Sequence, residues 1–77
     1  MALITDATET WSGPITLAAD EIWQTRWGSV FVTTTASPDP NDGFALIQGH
    51  GIMIRAGQNV QYRKEGSTDA LIVREAI

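Results

Sequence analysis

The chain has 77 residues, a formal net charge of −4, no cysteine and one histidine. A chain of this length forms one domain, and so small a core leaves little net stability unless something such as oligomerisation supplements it. The absence of cysteine excludes disulfides and thiolate metal sites. Five basic residues in an acidic chain argue against a nucleic-acid binder, because phosphate neutralisation requires clustered lysine and arginine.

No apolar run approaches the ~20 residues that a membrane-spanning helix requires. The first residues, Met-Ala-Leu-Ile-Thr-Asp, lack the basic region of a signal peptide. We therefore expect a protein without membrane association that is cytoplasmic when made.

The first third of the chain contains short elements. Residues 1–9 show little periodicity and are interpreted as a flexible arm or a first edge strand. Residues 11–14 (Trp-Ser-Gly-Pro) are typical of a turn, and a short strand is predicted over 15–17. Residues 18–21 fit either one helical turn or a connection between strands.

The middle of the chain contains the clearest strand. Residues 21–27 are predicted to form a strand that ends at Gly28, and six of the seven residues in 29–35 are β-branched or aromatic. Trp27, Gly28 and Ser29 are then interpreted as the tip of a hairpin. Residues 36–43 contain two prolines and an Asp-Gly pair, which predicts a long exposed loop.

Residues 43–63 contain three apolar runs separated by glycine-bearing turns. They are interpreted as consecutive strands of a meander over 44–48, 52–55 and 59–63, and a last strand is predicted over 69–75. Strands at this spacing are typical of a sandwich or small barrel. The predicted fold is all-β: a single domain over 1–77 that forms a small antiparallel β-sandwich or barrel of about seven to eight short strands.

Several predicted strands carry apolar residues on both faces. Val30 and Val32 oppose Phe31, for example, whereas a half-exposed strand normally alternates apolar and polar residues. A small chain cannot easily cover both faces of a sheet, so we expect burial against other subunits in a homo-oligomer, with three as the expected count. The alternative is that one face carries scattered apolar residues, which is normal. The candidate interface residues are Phe31, Met53 and Ile72.

The side chains most often used in binding and catalysis are scattered. His50 lies between two glycines without nearby partners, so we interpret it as a turn residue. The tryptophans could stack on sugars or simply fill the core, and Trp27 is the best candidate for binding. Trp27, Arg55 and Arg63, with the 36–43 loop, are the candidate partner-binding residues.

Two further motifs bear on metal binding. The loop residues Asp39, Asn41 and Asp42 could supply oxygens to calcium, but their spacing is not that of a calcium loop and favours turn formation. Residues 51–57 (Gly-Ile-Met-Ile-Arg-Ala-Gly) resemble the second motif of the cupin family. Cupin metal ligands are mostly histidines and this chain has one, so we expect no metal, no cofactor and no catalytic residue.

Most of the chain resembles the small β-rich virion proteins of tailed phages and phage-derived particles. The similarity runs from about residue 15 to 75; it includes Ser-Val-Phe-Val at 29–32, Ile-Arg-Ala-Gly at 54–57, Val-Gln-Tyr-Arg at 60–63 and Ala-Leu-Ile-Val at 70–73. This resemblance implies a structural role as a head decoration, spike or fibre component, often trimeric, with other virion proteins as partners. The expected function is therefore a non-enzymatic homo-oligomer. The alternatives are a carbohydrate- or protein-binding module and, third, a cupin-like barrel enzyme.

Overall fold

The computed structural model describes residues 2–39 and 41–77, which form eight short strands and no helix. Met1 and Pro40, which fall in the predicted arm and loop, lie outside the described residues. All strand pairs are antiparallel and form two four-stranded sheets. The prediction of a small antiparallel all-β sandwich or barrel of about seven to eight short strands is confirmed, and the two sheets form a sandwich. The strands are β1 (Ala2–Ile4), β2 (Ile15–Thr16), β3 (Glu21–Trp27), β4 (Val30–Thr33), β5 (Phe44–Leu46), β6 (Gly51–Ile54), β7 (Asn59–Lys64) and β8 (Leu71–Ala76).

The first sheet has the order β1-β8-β3-β6, and the second has the order β2-β7-β4-β5. The predicted meander is therefore wrong, because β5, β6 and β7 alternate between the two sheets. An apolar strand buries a face equally well by pairing beside its neighbour or by stacking across from it, so its sequence does not distinguish the two. Within the described part of the chain, β4 and β5 are the consecutive strands that pair.

The predicted hairpin at Trp27, Gly28 and Ser29 is also wrong, because β3 and β4 belong to different sheets. The chain crosses between them at Gly28, whose φ is +75°. A Cβ at Gly28 would lie 2.6 Å from the carbonyl oxygen of Asp69. The glycine therefore permits a sharp corner where a larger residue would clash.

Residues 18–20 form a connection between β2 and β3 rather than a helical turn, and Glu21 begins β3. The Asp20 carboxylate accepts a hydrogen bond from the Ala56 amide at 2.8 Å. Leu17 is buried and exchanges backbone hydrogen bonds with the turn at Gly57 and Gln58. This connection therefore ties β2 to the β6–β7 turn.

The core lies between the two sheets. Trp23 is fully buried at its centre, with its ring centroid 6.1 Å from that of Tyr62 on the opposite sheet. The buried hydroxyl of Thr25 donates to the carbonyl oxygen of Leu46 at 3.1 Å, which satisfies a polar group inside the core. The other buried apolar residues are Ile4, Leu17, Val30, Val32, Leu46, Ile54, Val60, Ala70, Ile72 and Val73.

Candidate functional site

The outward side of the first sheet carries six apolar side chains together with the exposed Gln24 and Glu75. Residues opposite one another across strands share a face, and the pairings place six apolar side chains together there. We call this set the apolar face: Leu3, Ile22, Trp27, Met53, Leu71 and Val73. Four of its members, Leu3, Ile22, Trp27 and Met53, are between 49% and 54% exposed. Exposed apolar side chains gathered on one face are typical of an interaction surface.

A β-bulge adds Trp27 to the apolar face. The pairing of β3 with β8 shifts between Thr25, which opposes Ile72, and Trp27, which opposes Leu71. Arg26 is the extra residue of the bulge, and strand alternation without it would have turned Trp27 toward the core. The bulge is a tertiary feature that the strand pattern over 21–27 did not predict.

The candidate interface residue Ile72 does not belong to this surface, so its assignment was wrong. Its side chain is fully buried, opposite Ile4 on one side and Thr25 on the other. β8 lies between two strands, and its outward residue Val73 is buried as well as its inward residue Ile72. Both faces of β8 therefore carry buried apolar residues. The sequence pattern therefore did not reveal which face pointed inward.

The candidate interface residues Phe31 and Met53 lie on opposite sides of the molecule. Met53 belongs to the apolar face, whereas Phe31 points outward from the second sheet and is half-buried. The guanidinium carbon of Arg63 lies 4.4 Å from the centroid of the Phe31 ring and 5.3 Å from that of Trp11. The chain itself thus covers Phe31 with a cation–π stack.

The three candidate partner-binding residues do not form one surface. Arg55 lies near the start of β3, with its guanidinium 3.9 Å from the Asp20 carboxylate. Trp27 is at the other end of β3, roughly 20 Å away at the usual strand rise. Arg63 is on the second sheet and is held in the aromatic stack.

His50 lies in a turn, as the sequence indicated. Its amide donates to the Ile47 carbonyl oxygen at 2.9 Å, and its own carbonyl oxygen accepts from the Thr25 amide at 2.9 Å. The loop residue Asp42 likewise bonds locally, accepting from the Asp39 amide at 2.8 Å. Among residues 2–39 and 41–77, no group of three or more His, Asp and Glu side chains is placed to hold a metal ion.

A cluster of polar side chains that sequence reasoning missed lies at the edge of the core. Arg74 donates two hydrogen bonds of 2.9 Å to the Glu21 carboxylate, which also accepts from the Trp23 indole at 3.0 Å. The hydrogen bonds from Arg74 lower the pKa of Glu21. Glu21 stands two residues from the buried Trp23, and Arg74 stands two residues from the buried Ile72. In a strand this spacing puts both charged side chains on the inward face, which was the signal available in the sequence.

Tyr62 packs beside this cluster. Its hydroxyl donates to the Asp6 carboxylate at 2.8 Å. Burial, together with the hydrogen bond to Asp6, raises the pKa of Tyr62 to about 12. Both carboxylates are therefore engaged as hydrogen-bond acceptors: Glu21 joins β3 to β8 within the first sheet, and Asp6 joins the segment after β1 to β7 of the second sheet.

A cleft of about 450 Å³ opens between the edge strands of the two sheets. The side chains that line it are mainly apolar and belong to β4, β5, β6 and the turn after β6. Phe44 points inward by strand alternation, yet it is 61% exposed because the sandwich is open at this edge. Arg55, Gln58, Thr33 and Thr34 supply the polar part of the lining.

Comparisons of the chain with models of protein families, with curated proteins and with solved structures found no match. Within the residues that the structure describes, no helix has the length and apolar character needed to cross a membrane.

Proposed function

We propose that this protein is a non-enzymatic structural protein that assembles with copies of itself, with three subunits as the expected count. On this proposal it is made in the cytoplasm and incorporated into a phage-like virion, where other virion proteins are its partners. The observation that carries the self-assembly is the apolar face, with four large side chains about half exposed on one side of one sheet.

The broad side of the molecule that carries the apolar face suits a partner of similar size. The molecule extends 31 × 25 × 17 Å, and a two-layer sandwich is thinnest across its layers. Each broad side is therefore of the order of the ~800 Å² that one partner contributes to a standard interface. A second copy of the chain presents a surface of this size and of the same apolar character.

The energetics show how much the apolar face contributes. Burying the exposed half of a large apolar side chain stabilises an assembly by roughly 1 kcal/mol, so four from each of two subunits contribute roughly 8 kcal/mol. Association costs about 4–15 kcal/mol in lost translational and rotational freedom. The gain and the cost are therefore of similar size, and a stable assembly needs a second contact between subunits.

The test compares two isoleucines of nearly equal exposure. Ile22 lies on the apolar face at 49% exposure, and Ile47 lies away from it, after β5, at 51%. In sedimentation equilibrium at micromolar concentration, we expect wild type and Ile47→Glu to be oligomeric. Ile22→Glu should weaken association at least tenfold, because it brings one negative charge per subunit into an apolar contact. A monomeric wild-type protein would refute the self-assembly.

The virion assignment has a separate test in the genome. Capsid, portal or tail genes beside the coding sequence would support a structural role in a particle. Neighbouring metabolic genes would count against that role and would leave the self-assembly to be judged by sedimentation.

A second candidate function is a module that binds carbohydrate or a protein partner. The cleft favours it, because an apolar concavity with a few polar groups is the usual form of a binding site. A glycan array and a pull-down should then detect a ligand whose binding is lost in Phe44→Ala and retained in Ile47→Ala. Equal binding by both variants would argue against the cleft, and loss in Trp27→Ala would place the site on the apolar face.

The third candidate is a cupin-like barrel enzyme. Its test is elemental analysis of the purified protein. A stoichiometric transition metal would support it, and the absence of one would remove its chemical basis.

A further inference from the structure

The edge strands of both sheets are uncharged. β1 and β6 are the edges of the first sheet, β2 and β5 are the edges of the second, and none contains a charged residue or a proline. Every charged residue within a strand lies on one of the interior strands β3, β7 and β8: Glu21, Arg26, Arg63, Lys64, Arg74 and Glu75. Monomeric proteins usually place charges or prolines on edges to prevent pairing between molecules. In this protein, what limits pairing between molecules at the edges is mainly that the edge strands are short.

The strand directions make the two edges of the first sheet complementary. Every neighbouring pair in the order β1-β8-β3-β6 is antiparallel, so β1 and β6 run in opposite directions. If a second copy is placed beside the first in the same orientation, its β1 lies antiparallel to β6 of the first copy. The lengths also match, since β1 has three residues and β6 has four.

We propose that β6 of one copy pairs with β1 of the next, so that the first sheet continues from subunit to subunit. This inference rests on the proposed self-assembly and names the second contact that the energetics require. The contact joins two different surfaces, and such contacts generate rings when the rotation closes. Three copies give a ring of twelve strands, and the apolar face is buried where it points toward the ring axis.

The proposed pairing also explains why two apolar side chains at the edges of the first sheet are exposed in the single chain. Leu3 is the outward residue of β1, and Met53 is an outward residue of β6. Both belong to the apolar face and both are about half exposed in the single chain. Pairing of β6 with β1 brings both to the same side of the junction, where Leu3 lies opposite Gly51 if the copies are level and opposite Met53 if they are staggered by two residues. The pairing also replaces backbone hydrogen bonds that an edge strand otherwise makes with water.

Introduced cysteines test the pairing, because the chain has none of its own. Within one chain, Leu3 and Met53 lie at opposite edges of the first sheet, three strand spacings or roughly 14 Å apart. A disulfide requires Cα atoms within about 7 Å, so Leu3→Cys and Met53→Cys in one chain cannot bond to each other without unfolding. A disulfide between two copies forms only if the cysteines at positions 3 and 53 lie directly opposite each other. A short bismaleimide that spans ~7–8 Å also joins the two cysteines when the register is shifted by two residues and they are diagonal neighbours.

We expect the reduced Leu3→Cys/Met53→Cys protein to remain oligomeric in sedimentation equilibrium. Oxidation or the bismaleimide should then convert it to a covalent trimer on a non-reducing gel. Each single cysteine variant should stay as separate chains, because in the ring neither cysteine meets its own copy.

Two results would overturn the pairing. One is an oligomer whose double variant forms no covalent product with either reagent. The other is a covalent dimer of a single variant, which would mean that like edges meet in a two-fold contact. In both cases the self-assembly would stand, whereas a monomeric wild type would refute both proposals.

Discussion

The outward sides of the two sheets differ in how the chain treats their apolar residues. On the second sheet, Phe31 is covered by Arg63, which is itself stacked against Trp11. On the first sheet, side chains such as Ile22 and Met53 stay about half exposed. The chain thus covers one side with its own residues and leaves the other open, and this difference is the reason for proposing that the open side meets a partner.

The covering of the second sheet depends on residues far apart in sequence. The indole of Trp11 donates to the Asp39 carbonyl oxygen at 2.9 Å, which fastens the long loop beside the stack. A Cβ at Gly43 would lie 3.1 Å from the Trp11 ring, so the loop approaches the indole closely. The first sheet has no comparable covering among the described residues, since four side chains of its apolar face stay about half exposed.

The largest expected effect is on the free energy of unfolding, and it distinguishes a residue that stabilises the fold from one that stabilises the assembly. Phe31→Ala should lower the free energy of unfolding by about 2 kcal/mol, because it removes a half-buried aromatic side chain that packs against Arg63. Ile22→Ala should cost less than about 1 kcal/mol in the monomer, because half of that side chain already meets water. Urea unfolding at two protein concentrations checks both values. The loss in Ile22→Ala should grow with concentration and that in Phe31→Ala should not, and equal behaviour would contradict the comparison.

The next prediction removes the cover from the second sheet. Arg63→Ala should expose Phe31 and Trp11, lower the free energy of unfolding by about 1–2 kcal/mol and increase the binding of a hydrophobic dye. Arg55→Ala is the matched control, because its guanidinium is largely exposed and makes a long ion pair that contributes at most about 1 kcal/mol. An unchanged dye signal in Arg63→Ala would show that the second side is covered in some other way.

Tyr62 lies on the inner side of the second sheet. Its ionisation tests whether the burial of its hydroxyl comes from the chain itself rather than from a second copy. Since its pKa is raised to about 12, its stabilising effect is complete below pH 10 and is lost as the pH rises through about 12. It is the one tyrosine of the chain, so ultraviolet absorbance follows its ionisation alone. The titration should be independent of protein concentration. Tyr62→Phe should cost about 1 kcal/mol at neutral pH and remove this alkaline dependence.

The smallest expected effect concerns the first sheet in acid. The pKa of Glu21 lies below its ordinary value of 4.5 because of the hydrogen bonds from Arg74. Its stabilising effect is therefore present above pH 4.5 and is lost as the pH falls through the lower folded value. Glu21→Gln should flatten the acid limb of stability followed by circular dichroism. Arg74→Lys should flatten it less, because lysine keeps the charge but loses the two-point contact; identical curves for wild type and Glu21→Gln would refute the role of this pair.

Much of the site lay beyond sequence reasoning for reasons that particular residues show. Met53 was expected on an exposed side from its alternation with Ile52 and Ile54, and it lies there. Ile72 was misplaced because its strand is apolar on both faces. Trp27 reaches the apolar face through a bulge, and the contact between Glu21 and Arg74 joins residues 53 positions apart.

The sequence by itself determined that the protein is all-β, about where its strands lie and that a single histidine sits in a turn. These features depend on local chemistry, since β-branched residues favour extended backbone and glycines allow the turns between strands. The tertiary structure alone decided which strands pair, which face of β8 points inward and which side of the sandwich stays apolar. Those features depend on contacts between distant segments, and a strand that is apolar on both faces has the same sequence pattern in either orientation.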